Sequence, residues 1–184
     1  GSTMSPPMAS EASAEPVAER PWRRSFWSLI LTQFQSAFID NAYKNLVVFL
    51  VLALGLSQAE RDRLVPLVAF LFAVPYILFS MTGGYLADRF SKRSVTIGLK
   101  VLEIGVMILG LAGLTLRNIH LQLAAVFLLS TQGALFGPSK YGLLPELLPE
   151  KRLSWGNGVL ELGTFLAIIA GAATGAVLSE IFQG

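Results

Sequence analysis

Gln33, Ser36, Asp40 and Lys44 follow one another at spacings of three, four and four residues. That spacing sets them on one stripe of an α-helix. Asn41 and Asn45 widen the stripe. A carboxylate placed this way can hold an ammonium group or a coupling cation. A lysine can take a phosphate as a point charge. Asp40 and Lys44 also stand at i and i+4, so they can partly neutralise each other. The stripe lies inside an apolar run, with WSLILTQ before it and VVFLVLALGL after it. A charge there needs a partner or a watery cavity, because at membrane depth it costs at least a few kcal/mol.

Composition identifies that depth. Of the 184 residues, 53% are hydrophobic and only 14% charged, against about 25% charged in a soluble domain. The mean hydropathy is +0.61. With no cysteine there is no disulfide framework and no thiolate chemistry. The single histidine, His120, excludes sites built on several imidazoles. No nucleophile–base pair, metal cluster or cofactor loop stands out, so no enzymatic activity, metal or cofactor is expected. The net charge of +2 reads as a topology signal at membrane loops, and no nucleic-acid partner is expected.

Residues 1–24 read as a disordered cytoplasmic tail, rich in Ser, Ala, Pro and Glu up to Glu19, with an expression scar at 1–3. It is not a signal peptide, since the run after Arg23 and Arg24 is too long and no small-residue cleavage site follows. Residues 25–184 hold five apolar runs near the roughly 20 residues that a bilayer requires. They span Phe26–Leu54, Val65–Leu86, Val95–Leu116, Leu121–Lys140 and Trp155–Ile181. Pro75 is expected to kink the second, and Pro138 to end the fourth. The expected fold is therefore an all-α membrane protein.

Loop charges set the orientation. Arg20, Arg23 and Arg24 precede the first span. Arg89, Lys92 and Arg93 join the second and third, and Lys151 and Arg152 join the fourth and fifth. The opposite side carries only Arg61, Arg63 and Arg117, two of them beside Glu60 and Asp62. The excess places the N-terminus in the cytoplasm. Five spans sit uneasily with the paired three-helix repeats of many transporters, so the chain reads as part of a longer protein.

Three readings of the Asp40 stripe stay open: the lining of a transport cavity, an ion pair stapling the first helix to its neighbours, or a helix end with Lys44 snorkelling to the interface. The cavity reading takes Gln33, Ser36, Asp40, Asn41 and Lys44 as substrate-binding.

The most specific short motif is GGYLADRFSKRSV, from Gly83 to Val95. Its two glycines would let the second helix approach a neighbour closely. It resembles the cytoplasmic loop signature of the major facilitator superfamily, G-x-L-A-D-R-x-G-R-[KR], through Gly84, Leu86, Ala87, Asp88, Arg89, Lys92 and Arg93. Ser91 stands where the pattern has glycine. The resemblance implies a gate latch made by Asp88, Arg89 and Arg93 with Gly84, closing on a C-terminal bundle missing from this chain.

Two further stretches are similar to bacterial lysophospholipid transporters of that superfamily. One runs from Pro138, Ser139, Lys140, Tyr141 and Gly142 through Glu146 to Asn157, Gly158 and Glu161. The other matches Q-F-x-S-A-F-x-D-N-A from Gln33 to Ala42, with Ile39 at a position that tends to be small or polar. The family implies an N-terminal bundle of a facilitator moving lysophospholipid from the outer to the inner leaflet of the bacterial inner membrane. Reacylation by a fused or separate acyltransferase would follow. A facilitator of another small polar solute, and a stand-alone half acting as a membrane interaction module, are the alternatives. The antiporter signature of the superfamily has a proline after glycine in helix five, which is absent here.

Other residues read as structural. Lys100 and Glu103 can pair locally. Lys140 and Glu161 can pair across the fourth-to-fifth loop as a gate, beside Asn157. His120 reads as solvated, and Trp22, Trp27 and Trp155 as interface anchors. Gly133 with Gly137, and Ala167 with Gly171 and Gly175, read as small-residue packing seams.

Overall fold

A computed structural model of the protein describes residues 20–183. Most of the tail expected at 1–24 lies outside the described residues. Five long helices follow: α1 (Arg20–Ala53), α2 (Gln58–Arg89), α3 (Lys92–Thr115), α4 (Ile119–Leu147) and α5 (Leu153–Gln183). There is no strand among the described residues. Only a short 3-10 turn, Glu150–Arg152, joins α4 to α5. All five helices are long and apolar enough to cross a membrane. A bilayer supplies no hydrogen bonds to an open backbone, so helices are the natural way to satisfy it. The outward faces are correspondingly apolar, with Ile77 77% exposed and Met81 86% exposed.

The helix starts follow local chemistry. Ser57 caps α2 with a reciprocal box, its hydroxyl accepting from the Glu60 N–H at 3.3 Å while its own N–H donates to Glu60 Oε2 at 3.2 Å. Asn118 caps α4 by accepting from the N–H groups of His120 and Leu121. Ser91 caps α3, its hydroxyl accepting from the Ser94 N–H at 3.1 Å. The departure from glycine at that position therefore has a structural use. Gly55, at φ +66°, takes the left-handed turn just past α1.

Several boundaries differ from expectation. α1 begins at Arg20, so residues 20–24 form its first turn and not tail. α4 runs through Pro138 and Pro145 to Leu147. Proline is tolerated inside membrane helices because neighbouring groups re-satisfy the freed carbonyl. The expected loop after Lys140 is therefore helix, and the true link is only Leu148–Arg152.

α1 packs along α5, and α4 packs along both α2 and α3, with α1 also touching α2 and α4. The α1–α5 seam is built on small residues. Ala167, Gly171 and Gly175 are all buried. A Cβ on Gly171 would stand 2.6 Å from the Phe38 carbonyl oxygen, and one on Gly175 2.5 Å from that of Ala42. Backbone meets backbone there. In α2 it is Gly83 that allows close approach, 2.9 Å from the Ala134 oxygen, whereas Gly84 and Gly137 meet nothing within 4 Å. The glycine pair in the loop signature thus divides its work, and only its first member is a packing device.

Two apolar clusters form the bundle's core. One gathers Tyr43, Val47, Val106, Leu123 and Leu129. The other gathers Phe26, Leu29, Leu99, Phe136 and Leu160. On α1, α3 and α4 the residues between these clusters are polar and buried: Gln33, Ser36 and Asp40, then Glu103, then Ser130 and Gln132. The core is therefore a sandwich with a polar layer in the middle. The basic ends gather at one pole, as the loop charges predict. There Lys92 and Glu146 make an ion pair at 2.6 Å between α3 and α4. Arg152 lies over the Trp22 ring at 5.3 Å. Gly175→Val should force α1 and α5 apart, costing about 1–3 kcal/mol. Thermal unfolding in detergent checks this, against Gly137→Val as the control in open space, which should leave stability unchanged.

Candidate functional site

The polar layer opens on a cavity of about 750 Å³ bounded by α1, α2, α4 and α5. All five residues read from the sequence as substrate-binding line it: Gln33, Ser36, Asp40, Asn41 and Lys44. Helical spacing puts them on one stripe, and the close α1–α5 seam turns that face of α1 inward.

The bonding within the stripe differs from expectation. Asp40 and Lys44 do not pair. Lys44 Nζ donates to Asn41 Oδ1 at 3.3 Å and sits 4.2 Å from the centre of the Phe72 ring. The Asn41 amide and the ring compete for the ammonium within one turn of reach. Asp40 is buried, and its Oδ1 has no hydrogen-bond partner. Asn41 is fixed by donating to the Ala37 carbonyl at 2.8 Å. Gln33 reaches across the seam to donate to Thr164 Oγ1 at 3.2 Å.

α4 supplies the opposite wall. Gly133 leaves room beside Asp40: a Cβ there would stand 3.4 Å from Asp40 Oδ2 and 2.7 Å from the Tyr76 hydroxyl. Lys140 lines the same cavity. The gate pair expected between Lys140 and Glu161 is not formed. The Tyr141 hydroxyl donates to Glu161 Oε1 at 2.6 Å instead, and Lys140 Nζ lies 4.6 Å from the centre of the Tyr141 ring. With α4 helical through this region, Tyr141 occupies the space between the two charges. Asn157 is exposed on α5.

The cavity thus contains one carboxylate and two ammonium groups, with no ion pair among them. Ala37, Phe72, Ala134, Phe136 and Ile168 give it an apolar remainder. Sequence reading missed Phe72, Tyr76, Ser80 and Thr164. These lie on α2 and α5 in stretches without a polar stripe, and only packing turns them inward. The loop-signature residues stand apart from the cavity. Asp88 and Arg89 end α2 and Arg93 opens α3, all three exposed, while Gly84 is half-buried on the same turn of α2 as Asp88.

A polar group behind the wall completes the layer. Lys100 and Glu103 form the expected local pair at 2.7 Å, and it also reaches α1. Lys100 contacts Ser36 Oγ, Gln35 and the Thr32 carbonyl.

Comparison with known proteins places this geometry. The family model described as Major Facilitator Superfamily matches residues 29–183. The chain is 35% identical over 159 residues to the protein named Lysophospholipid transporter LplT of Salmonella paratyphi B, covering 86% of this chain and 37% of that protein. The same values hold for its namesake of Salmonella typhimurium, and the one of Salmonella heidelberg is 34% identical over the same length. The chain spans 37% of the length of these relatives. No solved structure matches the chain significantly.

The chain contains no cysteine, which makes the cavity directly testable. Ser80→Cys should react with a membrane-impermeant maleimide, because Ser80 lines the cavity. Phe165→Cys, on the exposed apolar face of α5, should stay unlabelled in the bilayer and react only after detergent denaturation. Labelling rates in proteoliposomes decide it.

Proposed function

The chain belongs to the major facilitator superfamily, and from that premise we propose that it forms the N-terminal bundle of a transporter carrying lysophospholipid from the outer to the inner leaflet of a bacterial inner membrane. Five helices long and apolar enough to cross a membrane, together with the family, support a multi-pass membrane protein that belongs to a membrane transporter. The lysolipid substrate is supported by relatives that bear that name.

One observation carries the reading: an unpaired carboxylate and two unpaired ammonium groups share one cavity with an apolar remainder. A lysophospholipid headgroup bears a phosphate and, in the ethanolamine case, an ammonium. In this reading Asp40, whose carboxylate lines the cavity beside Gly133, takes the ammonium. In this reading a lysine of the cavity, Lys44 or Lys140, takes the phosphate and leaves its aromatic ring as it does so. Gln33, Ser36 and Asn41 supply neutral hydrogen-bonding groups beside them. The apolar residues receive the start of the acyl chain. A volume of about 750 Å³ lies within the roughly 300–1,000 Å³ of small-ligand sites.

Movement between leaflets requires the cavity to open alternately to the two sides. Asp88, Arg89, Arg93 and Gly84 sit at the pole of the bundle where the basic loops gather, free to meet a second bundle. Tyr141 bonded to Glu161 ties α4 to α5 near the same pole, with Lys140 reporting on it from the cavity. Asn157 extends that surface on α5. The delivered lysolipid is a substrate for an acyltransferase, separate or fused.

The complete gene product in proteoliposomes should flip labelled lysophosphatidylethanolamine. Asp40→Ala should abolish flipping and leave insertion intact. Lys140→Met should slow it by about 10- to 100-fold, the worth of one hydrogen bond to a charged group. Full activity in Asp40→Ala would remove the cavity role. Uptake of a soluble polar solute without lysolipid flipping would replace the substrate.

A further inference from the structure

Two arginines converge on one indole ring at the pole where the basic loops gather. Arg23, in the first turn of α1, lies 5.6 Å from the centre of the Trp22 ring. Arg152, in the turn just before α5, lies 5.3 Å from the same centre. Both residues are exposed, and neither has a carboxylate within ion-pair distance among the described residues. Glu146 is engaged by Lys92, and Glu150 is offset by its neighbour Lys151. α1 and α5 both begin here with no acidic residue in the first turn, so no side-chain charge offsets the positive end of either dipole. The ring attracts each guanidinium, but the two like charges repel each other. An anion between them would relieve that repulsion.

The same pattern repeats on the two helices. On α1, Trp27 follows Arg23 by four residues, and on α5, Trp155 follows Arg152 by three. Each pair therefore shares one face, with the tryptophan about one turn further into the span. Trp27 and Trp155 meet edge to face with ring centres 6.3 Å apart, and about half of each is exposed. The buried Phe26 ring lies 5.3 Å from both and holds them together. Arginines at the surface with indoles one turn deeper match the order of groups in a phospholipid. Its phosphate lies outermost, and the headgroup level where tryptophan rings settle lies beside it. Basic clusters next to a span draw anionic lipids. We infer that Arg23 and Arg152, with Trp27 and Trp155 below them, bind the headgroup of a net-anionic phospholipid of the surrounding leaflet, its phosphate between the two guanidiniums. None of the four residues lines the central cavity, so the site is separate from it and does not depend on the lysophospholipid reading.

The complete gene product in detergent is titrated with phosphatidylglycerol and with zwitterionic phosphatidylcholine, and bound lipid is read by native mass spectrometry. Phosphatidylglycerol should bind more tightly, and inorganic phosphate should not displace it. Arg23→Gln and Arg152→Gln should each weaken phosphatidylglycerol binding by about fivefold, with little change for phosphatidylcholine. Both arginines are exposed, so the single variants should fold. Arg23→Lys and Arg152→Lys keep the charge and should keep most of the affinity. Arg63→Gln with Arg117→Gln removes charge from the opposite pole and should leave binding unchanged. A purely structural contact with Trp22 would lower thermal stability without lipid and leave the preference for phosphatidylglycerol intact, which overturns the inference. Equal binding of the two lipids, or displacement by inorganic phosphate, overturns it as well.

Discussion

A carboxylate that cannot find a partner is the constraint around which this bundle is arranged. Asp40 is buried between helices, yet Lys44 and Lys140, which line the same cavity, turn elsewhere. Burying a carboxyl group without a hydrogen-bond partner in a medium of low dielectric is costly. The arrangement survives because Asp40 faces a cavity, where water or a ligand can serve it. The glycine at position 133 keeps that space open, since any side chain there would run into Tyr76 and crowd Asp40. The apolar clusters on either side then bear the packing that the polar layer cannot.

The seams follow from the same demand. In lipid no hydrophobic effect draws helices together, so close contact must come from backbone approach and dispersion. Gly171 and Gly175 bring α1 against α5 tightly enough to fix the rotation of α1. That rotation is what turns Gln33, Ser36 and Asp40 toward one side. Gly83 does the equivalent for α2 against α4. Position in the seam, more than propensity, decides which polar residues become cavity residues.

Legibility from sequence tracked this division. The five spans and their sidedness were readable because hydropathy and loop charge are local properties. The Asp40 stripe was readable because helical period alone places it. Pairings were not. An i, i+4 spacing allows Asp40 and Lys44 to meet, yet Asn41 and the Phe72 ring take the ammonium. Phe72 is on another helix, so nothing near Lys44 in the chain announces it. Lys140 and Glu161 failed to pair for a related reason: Pro138 does not end α4, and the continued helix puts Tyr141 between them. The Lys100–Glu103 pair was visible at i, i+3, but its reach to Ser36 depends on how the bundle sets α3 beside α1.

The resting place of the two lysines bears on how such a cavity can work. Had Lys44 closed on Asp40, a headgroup would need to break a buried ion pair before binding, at a cost of about 3–5 kcal/mol for a stranded partner. An ammonium over an aromatic ring is held by about 0.5–2 kcal/mol, depending on how far it is desolvated. The rings of Phe72 and Tyr141 therefore shelter the two cations without spending the carboxylate. On the proposed function, a phosphate meeting either lysine would exchange a weak contact for a stronger charge-assisted one. On the same reading, an ammonium reaching Asp40 would gain a carboxylate with no ion-pair partner. The same arrangement permits release, because both lysines have somewhere to return. A carrier must bind and let go on every cycle, and keeping opposite charges in one cavity without pairing them is a direct way to meet both needs.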